Sequence, residues 1–256
     1  MMSIAGAWVV GIVGAIIGSF LNVCIWRIPR EESIVFPSSH CPDCSHPIRF
    51  GDNVPVISWL ILKGRCRDCG ASISLRYPLV EALTAALSIL LYWKYGFSLQ
   101  LLCAFFFTAA LIVITFIDID YQIIPDVISL PGIPLCFLAA VFVMGVPFLE
   151  SLIGILVGGG ILYVIAVGYE WIAKREGMGG GDIKLLAMLG AFFGWKSLLF
   201  IVLCSSLTGA IVGVTLMVIQ RQDMKYAVPF GPFLALGAVA YFFLGDAFLQ
   251  YLFLIS

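Results

Sequence analysis

LLCAFFFTAALIVITFI, residues 101–117, runs for seventeen residues without a charge and ends on Asp118. A helix built from it has no polar face to turn toward water, whereas a bilayer core of ~30 Å accepts about 20 such residues in a row. Comparable runs lie to either side, near residues 4–25, 78–93, 127–146, 148–173, 183–193, 198–219 and 230–254, with this one extending over 99–117. The chain is 62% hydrophobic and 11% charged over 256 residues, with a mean hydropathy of +1.09, well outside the range of a water-soluble domain. These observations predict an all-α polytopic membrane protein of about eight transmembrane helices. The sixth run is short and could merge with its neighbour. The first has no basic residue before it and no small-residue cleavage site after it, so it is expected to remain as a helix.

Orientation follows from the basic residues, which favour cytoplasmic connections. Twelve of the 14 lysines and arginines fall in odd-numbered connections, among them Arg27, Arg30, Arg49, Lys63, Arg65, Arg67 and Arg76 in the first, Lys174, Arg175 and Lys184 in the fifth, and Arg221 and Lys225 in the seventh. Only Lys94 and Lys196 oppose them. The expected topology places the N-terminus outside and the odd connections inside, which brings Asp118 and Asp182 to the cytoplasmic face. The net charge of −1 says nothing about a partner, and no basic stripe suggests nucleic acid.

The chain divides accordingly into a first transmembrane helix (residues 1–28), a polar cytoplasmic loop (29–77) and a seven-helix membrane core (78–256). The loop carries CPDC (Cys41, Cys44) and CRDC (Cys66, Cys69), separated by 21 residues. Two CxxC turns supply four thiolates for a tetrahedron, which suits Zn²⁺, and four protein ligands leave no open position for water, so the site is structural. A reducing cytoplasm weighs against disulfides. Arg49, Lys63, Arg65 and Arg67 are placed to offset the excess negative charge. His40 and His46 flank the first knuckle and are read as surface residues that could substitute as ligands. Cys24, Cys103, Cys136 and Cys204 sit singly in apolar runs, where a thiol packs as a small hydrophobe.

Chemistry is sought at two acidic loops, because carboxylates at a membrane margin are costly and usually belong to a site, a relay or a satisfied pair. The first reads IDIDYQIIPD (residues 117–126). Asp118 terminates the apolar run, Asp120 lies nearer solvent, and Asp126, just after Pro125, suits a helix start. The second reads GMGGGDIK (177–184), where Gly179, Gly180 and Gly181 leave room for an extended peptide main chain and Asp182 could equally cap the sixth helix. Two carboxylates in reach of one another can share a proton, activate a water and protonate a leaving amine. The glycines do not fit a dinucleotide-binding pattern, since no strand precedes them. Glu81, in the first turn of the second helix, is a candidate for polar work or a carboxylate favoured by the helix start. Asp52 and Asn53 are explained by turn formation.

Taken together, GSFLNV (18–23), RIP (27–29), CPDC, DNVPVISW (52–59), GRC (64–66), SLRYP (74–78), Glu81, FIDIDYQIIPD (116–126) and GGGD (179–182) resemble the type IV prepilin peptidases, over nearly the whole chain and in order. Some relatives lack the zinc cysteines; all four are kept here. The resemblance implies a bacterial inner-membrane, multi-pass aspartic endopeptidase. Such an enzyme removes a short basic leader from prepilins or pseudopilins on the cytoplasmic side. It then N-methylates the new N-terminal residue from S-adenosylmethionine. It also implies that Asp118 and Asp182 are catalytic, with residues 179–182 as the GxGD motif. Asp120, Asp126 and Glu81 become candidates for substrate contact or support, and the acids of the first loop could attract a basic leader, an effect that salt would weaken. A loop of 49 residues cannot hold a Rossmann-like methyltransferase domain. The rivals are a presenilin-like GxGD protease acting inside the bilayer, a carboxylate-coupled ion carrier, for which no convincing inverted repeat is found, and a noncatalytic zinc-bearing assembly factor. The zinc loop and FLNVCIWRIP (20–29) favour the prepilin reading.

Overall fold

The computed structural model describes residues 3–173, 179–220 and 228–253. Among these, helices dominate and no strand longer than an isolated bridge occurs. Lys174, Arg175, Gly177, Arg221 and Lys225, which entered the reading of orientation and of the glycine loop, lie outside the described residues.

The helices are α1 (Ile4–Arg27), α2 (Ile57–Ile61), α3 (Arg76–Tyr95), α4 (Leu99–Tyr121), α5 (Asp126–Ala139), α6 (Phe148–Ala173), α7 (Gly180–Phe193), α8 (Trp195–Gln220) and α9 (Gly231–Phe253). Each apolar run expected from the sequence forms a helix, and α2 is an extra short turn within the polar loop. The count of eight spans is nevertheless not reproduced. Among the described residues, five segments are long and apolar enough to cross a membrane: Ile4–Arg30, Leu99–Tyr121, Asp126–Met144, Phe148–Gly168 and Trp195–Ile219. Helix α3 carries Arg76, Glu81 and Lys94 within its 20 residues. Helix α7 has 14 residues, about 21 Å of rise against a core of ~30 Å. Helix α9 adds a shorter apolar stretch, Gly231–Gly245. The sixth run does not merge with the seventh, because Gly194 at φ 82° breaks the helix between them.

The chain forms two compact units, Met1–Val113 and Ile114–Ser256. In the first, α1 packs along α3. Ser3 caps α1 by accepting the Gly6 N–H at 3.0 Å. The packed face of α1 is made of small residues, since apolar side chains gain nothing by leaving lipid for a helix neighbour and close backbone approach must do the work. At Gly18 an added Cβ would lie 2.8 Å from the Glu81 Cα. Ile12, Ile16 and Phe20 face outward. Asn22 donates to the Gly18 and Tyr77 carbonyls at 3.3 and 3.1 Å, tying α1 to the start of α3. Arg27 is buried and donates to the Ser33 and Pro37 carbonyls at 2.8 and 2.7 Å, so it holds the loop that follows α1.

In the second unit α7 is the central element. Leu185 to Phe192 are all buried, as expected of a helix that is apolar on every side and wrapped by others. It packs against α5, α6, α8 and α9. Its contact with α6 is backbone on backbone at Gly154 and Gly190, where any Cβ would strike the facing carbonyl. Ser151 donates to the Ala191 carbonyl at 2.6 Å and Ser205 to the Phe233 carbonyl at 2.9 Å, so polar groups within the helical bundle find partners across it. This packing sets the start of α7, and with it Asp182, in a fixed position.

Candidate active site and metal centre

Asp118 lies in the last turn of α4 and is buried to 5% exposure. Two residues on, Asp120 is exposed, which agrees with its expected place nearer solvent. Helix α4 ends because Gln122 adopts a left-handed conformation at φ 54°, its N–H closing on the Asp118 carbonyl at 2.8 Å. The turn folds Ile124 inward, and Pro125 then starts α5 with Asp126 as its first residue.

The turn after α4 meets the glycine loop directly. A Cβ on Gly181 would sit 2.8 Å from the Ile124 Cβ, so only glycine fits at that position. Gly179 and Gly180 are different, for among the described residues a Cβ on either would meet nothing within 4 Å. Gly179 is the N-cap of α7 and Asp182 stands in its first turn, so the capping position is not filled by the aspartate. Asp182 and Asp118 are close enough to interact electrostatically. Lys184 Nζ and Asp126 Oδ1 form an ion pair at 2.6 Å between the same two segments, with both side chains substantially exposed. Such a pair contributes little to stability, on the order of 0–1 kcal/mol.

A third segment completes the surroundings of Asp118. The Gly231 N–H, at the start of α9, donates to Asp118 Oδ2 at 3.0 Å, and a Cβ at Gly231 would lie 2.6 Å from that oxygen. The first N–H groups of a helix have no partner within it and carry the positive end of the helix dipole, so they suit a carboxylate. Sequence reasoning did not single out Gly231. The available signal was PFGP (residues 229–232), a proline-flanked glycine opening an apolar run.

The four cysteines of the loop converge, with sulfurs all within 4.8 Å of one another and Cys41 Sγ 3.8 Å from Cys69 Sγ. A tetrahedral site with Zn–S bonds of ~2.3 Å has S···S edges of about 3.8 Å, so the cluster can hold a metal ion of that kind. The two halves repeat one design. Cys41 N–H donates to the His46 carbonyl and Cys66 N–H to the Ala71 carbonyl, at 2.9 and 2.8 Å, and the residue after each second cysteine is left-handed, Ser45 at φ 57° and Gly70 at φ 74°. The backbone N–H groups of Cys69 and Asp68 point at the Cys66 sulfur and bring its pKa down to about 7, which favours the thiolate a metal needs. His40 and His46 stay outside the sulfur cluster. The knuckles are braced by Arg67, whose Nη2 and Nε meet the Asp52 carboxylate at 2.6 and 2.9 Å, and by Arg49 with Asp68 at 3.2 Å. The hydrogen-bonded Arg67 guanidinium holds the Asp52 carboxyl below the usual carboxylate range. Asp52 therefore does more than form a turn.

Glu81 is buried in α3 and accepts the Val56 N–H at 2.7 Å and a hydrogen bond from Ser19. It joins the cysteine loop to the α1–α3 pair.

Residues 12–95 match the bacterial peptidase A24 N-terminal domain, and residues 105–214, which include Asp118 and Asp182, match the type IV leader peptidase family. A prepilin leader peptidase/N-methyltransferase of Pseudomonas putida is 39% identical over 247 residues, covering 88% of this chain and 86% of that protein. The enzyme of the same name from Dichelobacter nodosus is 39% identical over 94% of this chain and 92% of its own. That from Myxococcus xanthus is 41% identical over 80% of this chain and 62% of its own. No solved structure matches the chain. An apolar helical bundle, a buried aspartate met by a glycine-flanked second one, and identity over almost the full length of several relatives lead to one conclusion: the chain belongs to the prepilin leader peptidase/N-methyltransferase family.

Proposed function

We propose that Asp118 and Asp182 are the catalytic pair of a membrane-embedded endopeptidase that removes the leader from type IV prepilins or pseudopilins, and that the same chain N-methylates the product. Family membership supports both activities. The single observation that carries the residue assignment is the meeting of three segments at Asp118: its own turn, the glycine loop bearing Asp182, and the N–H of Gly231.

In the proposed reaction one carboxylate is ionised and the other protonated. The ionised one takes a proton from a water whose oxygen attacks the scissile carbonyl carbon, while the other gives its proton to the carbonyl oxygen. Collapse of the tetrahedral intermediate breaks the C–N bond, and the leaving amine takes up a proton from the pair. The Gly231 N–H holds one Asp118 oxygen in place throughout. The space beside Gly179 and Gly180 accommodates the extended substrate main chain, and Asp120 and Asp126 are candidates for substrate contact from the first loop.

Zn²⁺ is the ion proposed for Cys41, Cys44, Cys66 and Cys69, where it would hold the two knuckles together without taking part in cleavage. S-adenosylmethionine is the proposed methyl donor, on the strength of the family, and no residue of this chain is assigned to it. The bias of basic residues toward the odd connections supports a cytoplasmic placement of the cysteine loop and both aspartates in the inner membrane.

The test is cleavage of a prepilin by the purified, reconstituted protein. Asp118→Asn and Asp182→Asn should each abolish cleavage while the variants elute and melt as the parent does. Normal cleavage by either would remove that residue from the pair. Mass spectrometry of the product with and without S-adenosylmethionine decides methylation.

A further inference from the structure

Helix α2 is amphipathic in the reverse of the usual sense for a segment of a polar loop. Ile57, Leu60 and Ile61, at i, i+3 and i+4, share one face and are 55%, 62% and 69% exposed, whereas Ser58 is buried and Trp59 half-buried, its indole N–H donating to the Ile73 carbonyl at 3.0 Å. Ser58 donates to the Gly51 carbonyl at 3.1 Å. The polar side of the helix is thus used internally, and the apolar side is turned out.

The depth of this face follows from its anchor. Val56, immediately before α2, is β-branched yet adopts φ 61°, ψ −49°, with the Ile57 N–H closing on the Pro55 carbonyl at 2.6 Å, a strained γ-turn. Its N–H is held by Glu81. The Glu81 Cα lies against Gly18 of α1. Gly18 is flanked by the outward-facing Ile16 and Phe20 and lies nine residues before Arg27, roughly 13 Å along the helix. On α3, Glu81 falls between the exposed Leu79 and Leu83. Helix α2 therefore begins one glutamate side chain away from a level at which both neighbouring helices turn leucine, isoleucine and phenylalanine outward. Lys63 and Arg65, both exposed, follow its last turn, where they complement anionic lipid phosphates.

The geometry points to the Ile57, Leu60 and Ile61 face as a membrane-inserted patch of the cysteine loop, seated at the boundary of headgroups and acyl chains and continuous with the lipid-facing surface of α1 and α3. The inference rests on α1 spanning the bilayer and not on the assignment of Asp118 and Asp182. The patch holds the loop flat against the membrane, where a substrate helix emerges from lipid into the cytoplasm, and the strained Val56 turn, clamped by a buried carboxylate, directs α2 there.

The test uses the full-length protein in vesicles of phosphatidylethanolamine and phosphatidylglycerol, with a nitroxide amino acid incorporated in place of Leu60, since the native cysteines preclude thiol labelling. Power saturation compares access of oxygen, which partitions into lipid, with access of a nickel chelate, which stays in water. Position 60 should match a label at Phe20 and differ from one at Asn53. Chelate access as high as at Asn53 would overturn the inference. So would chelate access that is lost only when prepilin is added, which would make the face a substrate surface. Retained prepilin cleavage reports folding, and if the label at Leu60 is not tolerated, Ile57 and Ile61 provide the same measurement.

Discussion

Gly231→Ala tests whether Asp118 must be held where it is. The added methyl carbon would stand 2.6 Å from Asp118 Oδ2, whereas ordinary contact begins near 3.4 Å. The carboxylate must retreat by about 0.8 Å, which takes the Gly231 N–H···Oδ2 hydrogen bond from 3.0 Å out of bonding range. A hydrogen bond to a charged group is worth ~1.5–3 kcal/mol, or about 10- to 150-fold in rate if it acts wholly in the transition state. A displacement of ~1 Å at a reacting group independently suggests a loss near 10²-fold. The expectation is therefore a fall of about 100-fold in kcat for prepilin cleavage, with KM changed by less than about threefold, because the space beside Gly179 and Gly180 is untouched. Steady-state cleavage of a purified prepilin separates the two constants. Gly160→Ala is the control, since a Cβ there meets nothing within 4 Å. If Gly231→Ala folds and cleaves within about threefold of the parent, the proposed role of this contact in catalysis is wrong.

Two glycines of the loop before Asp182 should behave oppositely. Gly181→Ala forces a methyl to within 2.8 Å of the Ile124 Cβ and should lower stability by about 1–3 kcal/mol, visible as a reduced Tm. Gly180→Ala should leave Tm unchanged or slightly raised, since a Cβ there meets nothing within 4 Å among the described residues and alanine is the better helix former, yet raise KM if substrate main chain occupies that space. An unchanged KM would move the substrate elsewhere. For the metal centre, Cys41→Ser with Cys66→Ser should reduce bound zinc from one equivalent to none by elemental analysis and lower the temperature at which the loop becomes protease-sensitive. Unchanged metal content would dismiss the four-cysteine site.

Much of the site was legible in the sequence because its parts are local. Asp118 marks itself by ending an uncharged run, and the two CxxC turns carry their geometry in their spacing. Hydrogen bonds within each knuckle then reproduce that geometry in three dimensions. Asp126 at a helix start and Asp120 nearer solvent were likewise legible, since each depends only on its place along the chain. What escaped was long-range. Gly231 is 113 residues from Asp118, and no local pattern announces that its N–H meets that carboxylate. Arg27 and Asp52 were read as a marker of orientation and a turn former, because their partners were unknown, and both hold loops together. The expected eight spans are not confirmed, for a related reason. Hydropathy reports that α7 avoids water, but a helix buried among helices and one immersed in lipid are equally apolar, and its 14 residues are accounted for by burial.

The sequence by itself determined that the chain is a helical membrane protein, since backbone polar groups in lipid must be satisfied within each helix and only long apolar runs can do this. It determined the four-cysteine cluster and which aspartates stand at the ends of apolar runs, because turn chemistry and hydropathy act over a few residues. Only the tertiary structure decided which face of each helix is packed, since lipid and protein interior are nearly alike to an apolar side chain and close backbone approach at small residues makes the choice. By the same contacts it brought the glycine loop against Ile124, and the N–H of Gly231 to Asp118, turning two separate acids into neighbours.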